Sequence, residues 1–165
     1  MGEWCIRVYP GTSNFSIASA KCAENGGVLS GMETSEERTF IINQGELILN
    51  NLTNVTEGSL WLGIRRSDLC LKANRTLSKC LPMANNAFVW TDDFTTGKTM
   101  MTWSPPNQPD YNSQNEECVQ MAVVDGVDPT YGTTSGQLYD VDCTVSTSNS
   151  DLIHNRGYAC GQKSI

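Results

Sequence analysis

The spacing of apolar and polar residues changes along the chain, and its first part predicts a strand followed by helices. Residues 6–9 alternate between apolar and polar side chains, which is typical of an edge strand. Phe15, Ala18 and Cys22 have helical spacing and predict a first helix. The Asn-Gly-Gly sequence at residues 25–27 is expected to end it.

A second helix should begin at residues 34–37. Glu36 and Glu37 place negative charge in its first turn, where it suits the positive end of the helix dipole. The apolar side chains of this helix are expected to form one stripe that faces the core: Phe40, Ile41, Leu47 and Ile48.

The rest of the chain predicts strands on either side of a long irregular segment. Residues 60–64 and 119–124 are apolar runs, and each predicts a strand. The polar segment 65–86, called the insertion below, is expected at the surface. Residues 92–117 have almost no periodicity, and a structureless loop of this length is usually functional. The chain has no internal repeat and no sign of a second domain, so we expect one domain over residues 1–165 with a long loop at 92–117.

Composition restricts the partners and the compartment. With 18 acidic and 11 basic residues among 165, the net charge is −7, which argues against a nucleic-acid partner and suits a metal cation. No stretch approaches the roughly twenty apolar residues of a membrane span. Seven cysteines in a small acidic chain indicate an oxidising compartment, so we expect a secreted or extracellular protein. Sequons for N-glycosylation, only slightly more than chance provides, begin at Asn14, Asn51, Asn54 and Asn74.

Side-chain oxygens that suit a hard cation occur in and after the long loop. The candidate metal ligands are Gln108, Asp110, Glu116 and Asp140. Calcium binds six to eight oxygens from such groups. A cis peptide bond before Pro109 would turn the side chains on both sides of it toward one point. Taken alone, the Gln-Pro-Asp triplet is also typical of a surface turn.

Seven landmarks, in order, resemble those of C-type lectin-like domains. They are the helix cysteine with its Gly-Gly-x-Leu exit within residues 16–29, Leu-Trp-Leu-Gly-Ile at 60–64, Phe-Val-Trp-Thr-Asp at 88–92, Trp103, Gln-Pro-Asp at 108–110, Glu116-x-Cys118, and Gly-Tyr-Ala-Cys at 157–160. The resemblance extends along most of the chain. It implies an α+β C-type lectin-like fold, with two helices, small antiparallel sheets and a long ligand-binding loop.

The resemblance also implies how most cysteines pair: Cys22 with Cys160 and Cys118 with Cys143. Cys70 and Cys80 lie close in sequence and are expected to close an extra hairpin in the insertion. Cys5 is left over. Either its partner belongs to a segment upstream of this chain, or Cys5 forms an intermolecular disulfide.

In this family a Gln-Pro-Asp triplet is associated with galactose-type sugars bound through calcium. The resemblance therefore implies a set of sugar-binding residues: Gln108, Asp110, Tyr111 and Glu116. A sugar hydroxyl on calcium donates to a carboxylate and accepts from an amide, so the order of amide and acid selects the diol geometry. Tyr111 is a candidate to pack on the apolar face of the sugar. The chain departs from the family at Tyr139, which replaces the amide ligand of the Trp-Asn-Asp motif.

Two hypotheses follow. The first is a calcium-dependent, galactose-type lectin domain that binds glycans or glycoproteins. The second is a calcium-independent domain that binds a protein through the same loop, and Tyr139 keeps this alternative open. An enzyme is not expected, because the chain has a single histidine and lacks CxxC, His-Glu-x-x-His and Gly-rich phosphate-loop motifs.

Overall fold

A mixed sheet of seven strands organises the protein in this computed structural model, which describes residues 3–148, 150 and 152–164. The strands are β1 (Trp4–Pro10), β2 (Val28–Leu29), β3 (Glu57–Arg66), β4 (Phe88–Trp90), β5 (Glu116–Val124), β6 (Leu138–Asp142) and β7 (Asn155–Lys163). The main path runs β1-β7-β3-β5-β6, with β2 on β7 and β4 on β3. All pairs are antiparallel except β3 with β7, and this parallel pair joins the predicted small sheets into one.

The helices are α1 (Phe15–Glu24), α2 (Ser35–Asn50) and the short α3 (Met83–Asn86). Asn14 caps α1, because its Oδ1 accepts a hydrogen bond of 2.9 Å from the backbone N–H of Ile17. At the start of α2, Thr34 and Glu37 form a reciprocal capping box. The α+β class and the two principal helices that the sequence predicts are confirmed.

The buried face of α2 is not the predicted stripe. Phe40 and Leu47 are exposed, whereas Ile41, Gly45 and Leu49 are buried. A Cβ at Gly45 would lie 2.8 Å from a methyl group of Val123, so the helix backbone lies directly on the sheet there. Because glycine carries no apolar side chain, the hydropathy pattern did not identify this close approach, and the prediction for Phe40 and Leu47 is wrong.

Three disulfides link the elements. They are Cys22–Cys160, Cys118–Cys143 and Cys70–Cys80, with Cα–Cα distances of 5.4, 5.1 and 5.7 Å. The first ties α1 to β7, the second joins β5 to the end of β6, and the third closes the insertion. These are the pairs expected from the sequence, and Cys5 carries an exposed free thiol.

Apolar side chains cover both faces of the sheet. One cluster, which includes Leu60, Leu62 and Ile64 of β3, packs against α2. The other, which includes Trp61, packs against α1. Alternate residues of β3 therefore point into different clusters. Within the described ranges, no helix combines the length and the apolar character that crossing a membrane requires.

Candidate functional site

The end of the long loop lies against β5 and β6 and brings the predicted ligands together. The Gln108–Pro109 peptide bond is cis, the form that turns the side chains on both sides of it toward one point. One carboxylate oxygen each from Asp110, Glu116 and Asp140 lies within 4.8 Å of the others. The structure thus forms the acidic cluster that the sequence predicts at this place.

Both oxygens of the Asp140 carboxylate accept hydrogen bonds. Oδ1 accepts from the backbone N–H of Asp110 at 3.0 Å, and Oδ2 accepts from the N–H of Tyr111 at 3.0 Å. Oδ2 also accepts from Nη2 of Arg66 at 2.6 Å. In addition, the backbone N–H of Asp140 donates to Oε1 of Gln108 at 3.1 Å. Asp140 is therefore the centre of a hydrogen-bond network that holds the loop.

Arg66, which the sequence analysis placed in a surface insertion, is one residue of this site that it missed. The side chains of Arg66 and Asp140 form an ion pair, and both have 0% exposure. Nε of Arg66 also donates to the carbonyl oxygen of Glu116 at 3.1 Å. The alternation of β3 contained the signal, since residue 66 continues the inward series of residues 60, 62 and 64.

The predicted role of Tyr111 as an exposed platform for a sugar is wrong. Tyr111 is only 3% exposed and has a left-handed backbone with φ 52°. Its ring lies between two guanidinium groups, 3.8 Å from that of Arg66 and 5.8 Å from that of Arg75. Its hydroxyl accepts from the backbone N–H of Lys72 at 2.8 Å. Cation–π contacts are strongest where the cation is desolvated, which explains why the ring lies on Arg66 rather than in solvent.

Tyr139 replaces the family's amide ligand and points away from the cluster. Its side chain is buried, and its hydroxyl donates a short hydrogen bond to the carbonyl oxygen of Leu152. Burial raises the pKa of this phenol, so it stays neutral. Tyr139 therefore contributes no oxygen to a cation at Asp140.

Glu116 and Asp110 are the remaining acids. Burial raises the pKa of Glu116 to about 8, and the negative charge of Asp140 and a hydrogen bond with Asp110 contribute to the rise. Glu116 therefore holds its proton more strongly than an ordinary glutamic acid does. The Asp110 side chain is exposed, and its Oδ1 accepts from the N–H of Asn112 at 3.1 Å.

In this arrangement the predicted calcium ligands share their oxygens with N–H donors and lie beside a guanidinium. Calcium requires six to eight oxygens, yet those of Asp140 and Gln108 already accept from N–H donors. Oδ1 of Asp110 likewise accepts from the N–H of Asn112. The guanidinium of Arg66 also places a fixed positive charge beside the carboxylate of Asp140.

A pocket of about 360 Å³ opens beside this cluster. One part of its wall is polar and includes the candidate site residues Gln108, Asp110 and Glu116; another part is apolar and includes Pro105, Ile153 and the exposed ring of Tyr131. Sequence reasoning missed Tyr131 and Ile153, because they belong to connections that join the site only in three dimensions. The signal available in the sequence was Tyr131 itself, an aromatic residue within the Gly/Thr-rich segment 125–136.

Comparison with known proteins identifies the family. Residues 1–163 match the family model described as C-type lectin domain-containing protein 141/158. The chain belongs to the C-type lectin domain family. Domains of this family are binding domains without enzymatic activity. A search of curated proteins finds no match.

Solved structures with this fold include a calcium-dependent and a calcium-independent protein. A Ca2+-dependent type II antifreeze protein in its Ca2+-free form is 19% identical, with 97% of this chain and 92% of that chain covered and a TM-score of 0.59. A calcium-independent type II antifreeze protein is 18% identical, with 100% and 90% covered and a TM-score of 0.57. The mouse scavenger receptor C-type lectin carbohydrate-recognition domain is 17% identical, with 100% and 94% covered and a TM-score of 0.59. At these identities the likeness shows the fold alone.

Proposed function

We propose that residues 1–165 form one extracellular C-type lectin-like domain that binds its ligand without calcium. The observation that carries this proposal is the buried ion pair of Arg66 with Asp140. Arg66 then supplies the positive charge that a cation supplies in calcium-dependent relatives. The three disulfides and the cysteine content support an extracellular location.

Electrostatics favour the arginine over the ion. A calcium ion bound to Oδ2 of Asp140 at about 2.4 Å would lie no more than about 5 Å from Nη2 of Arg66, since this oxygen and nitrogen are 2.6 Å apart. With an effective dielectric constant of about 20, the repulsion between the dication and the guanidinium is about 7 kcal/mol. This repulsion opposes a calcium ion at Oδ2 of Asp140 as long as Arg66 keeps its buried position, and the attraction of the ion to the carboxylates acts against it.

The long loop has other supports in place of a cation. Tyr111 anchors it between Arg66 and Arg75, and the Tyr111 hydroxyl ties it to Lys72 of the insertion. Disulfide Cys70–Cys80 in turn closes the insertion. Since the fold occurs in a calcium-dependent and a calcium-independent antifreeze protein, the fold by itself does not decide between the two hypotheses.

The pocket supports direct recognition of a carbohydrate. Because Oε1 of Gln108 accepts from Asp140, the NH₂ group of Gln108 is the part that can donate to a ligand. The exposed carboxylate of Asp110 can accept from a hydroxyl, and the ring of Tyr131 offers an apolar face. A volume of about 360 Å³ is at the small end of ligand pockets and suits one sugar residue. The galactose preference assumes a diol on calcium, so it stays a prediction for the glycan assay.

A protein ligand is the second candidate. Val127 and Tyr131, on the same connection between β5 and β6, are large exposed apolar side chains. These two side chains extend the apolar surface beyond the pocket. They suit a protein partner that inserts one side chain into the pocket and packs its other contact residues on the pocket rim.

Calcium titration tests the central claim. For a weak extracellular site with a dissociation constant of about 1 mM, 10 mM calcium would stabilise the native state by about 1.4 kcal/mol. We expect the melting temperature to be the same in 10 mM calcium and in EDTA. A calcium-dependent rise that Asp140→Asn abolishes would refute calcium independence at this site.

A glycan array in EDTA tests the ligand class. We expect binding that falls by about 10-fold or more in Asp110→Asn, because a hydrogen bond to a charged acceptor is lost. Asp125→Asn, an exposed acid outside the pocket lining, is the matched control. Binding that requires calcium would support the first hypothesis of the sequence analysis. No glycan binding with or without calcium would refute the carbohydrate assignment and favour the protein ligand.

A further inference from the structure

The insertion exposes several large apolar side chains to solvent, although its disulfide is buried. Cys70 and Cys80 are buried, but Leu69, Leu77 and Leu81 are 60%, 42% and 46% exposed. Single exposed apolar residues are common, whereas several within one short segment indicate a surface that something covers.

The sequon asparagine Asn74 lies close to Leu77, one of these leucines, and to the half-buried Leu71. Two successive hydrogen bonds, Asn74 N–H to Leu71 O and Leu77 N–H to Asn74 O, are both 3.0 Å long. Their i to i+3 pattern is that of a 3₁₀ helix, which here spans Lys72–Thr76. Leu71 and Leu77 flank this segment with extended backbones, and the two turns bring the backbone of each close to that of Asn74.

We propose that Asn74 carries an N-linked oligosaccharide whose first sugar lies over Leu77 and Leu71 and covers the apolar face of the insertion. Asn74-Arg75-Thr76 is a sequon, and the Asn74 side chain is exposed. Within the described part of the chain, this side chain has no hydrogen bond that a glycan would break. The C–H face of a pyranose is apolar, and it can cover leucine methyl groups while its hydroxyls stay in water.

The chemistry is a glycosyl transfer without a redox step. The donor is an oligosaccharide on a polyprenyl diphosphate, which a secreted chain meets during translocation. The bond between the anomeric carbon and the diphosphate oxygen breaks, and a bond from that carbon to Nδ2 of Asn74 forms. The diphosphate leaves with the bonding electron pair, and the amide loses one proton.

The other sequons lack this setting. Asn14 is half-buried, and its Oδ1 caps α1. Nδ2 of Asn51, the atom that would be modified, already donates to the carbonyl of Leu47 at 3.0 Å. Asn54 is exposed but lies in a turn with φ 57° and has no leucine three residues before it. Asn54 is therefore the control for an exposed sequon without the apolar face.

The first experiment is to secrete the chain from a eukaryotic host and map its glycopeptides. Peptide-N-glycosidase F in heavy-oxygen water converts each glycosylated asparagine into a mass-labelled aspartate. We expect the label at Asn74. Secreted protein in which Asn74 is unmodified would overturn the proposal, whatever the state of the other sequons.

The second experiment tests the covering role. Enzymatic removal of the glycan from the folded protein should increase the fluorescence of 8-anilinonaphthalene-1-sulfonate, an apolar-surface probe. Asn74→Gln should reproduce the increase, Asn54→Gln should not, and Leu77→Ser in the Asn74→Gln background should reverse it. Unchanged probe fluorescence after glycan removal would refute the covering role. These results do not depend on calcium or on the ligand of the pocket.

Discussion

Replacing Arg66 with methionine tests the central interaction of the site. Methionine retains an unbranched apolar side chain but removes the guanidinium, which leaves the fully buried carboxylate of Asp140 with only its two backbone N–H donors. Removing one partner of a buried ion pair costs about 3–5 kcal/mol. The lost cation–π contact with Tyr111 adds about 1 kcal/mol, and the remaining backbone donors offset part of the total. We expect the free energy of unfolding to fall by about 4 kcal/mol.

The assay is guanidinium unfolding in EDTA with the disulfides intact, together with a thermal melt. In a domain of this size, about 4 kcal/mol corresponds to a decrease of about 8–16 °C in melting temperature. Arg65→Met is the matched control. Arg65 pairs with Glu117 at 3.6 Å on the surface, and such a pair contributes no more than about 1 kcal/mol.

A double-mutant cycle then isolates the ion pair. Arg66→Met, Asp140→Asn and the double variant should give a coupling free energy of about 2 kcal/mol or more, because the neutral amide no longer needs the guanidinium. If Arg66→Met lowers the free energy of unfolding no more than Arg65→Met does, the reasoning fails. The buried ion pair would then contribute no more to stability than a surface pair.

Three further predictions concern other residues. The folded-state pKa of Glu116 is raised from 4.5 to about 8, so the folded protein binds a proton that the unfolded chain releases, and stability should fall as the pH rises from 5 to 8. Glu116→Gln should remove this fall in a series of thermal melts, and a parallel fall in the variant would contradict the assignment. Tyr139→Phe should cost about 1–2 kcal/mol in chemical denaturation, because the buried carbonyl of Leu152 loses its donor; an unchanged midpoint would argue against this hydrogen bond. Gly45→Ala should destabilise by about 1–3 kcal/mol despite the higher helix propensity of alanine, because its Cβ would lie 2.8 Å from Val123, and a gain in stability would show that the helix can shift.

Much of the scaffold could be predicted from the sequence. The order of strands and helices followed from apolar spacing and turn residues, and the capping box at Thr34 is a local signal of the same kind. Two of the cysteine pairs came from the family resemblance, the Cys70–Cys80 pair came from closeness in sequence, and the position of the long loop came from its lack of periodicity. A cis bond before Pro109 was considered from the sequence, because such bonds occur almost only before proline, but only the structure decided that it forms.

The state of the site depended on contacts between distant segments. Arg66 and Asp140 are 74 residues apart, and only the pairing of β3, β5 and β6 brings the guanidinium to the carboxylate. The same pairing covers the Tyr111 ring. Local periodicity reports which face of an element is apolar, but the partner across that face is set by strand register and by how closely backbones approach. An arginine at the end of a strand therefore has the same local signature whether water or a buried acid neutralises it, and only the tertiary structure distinguishes the two.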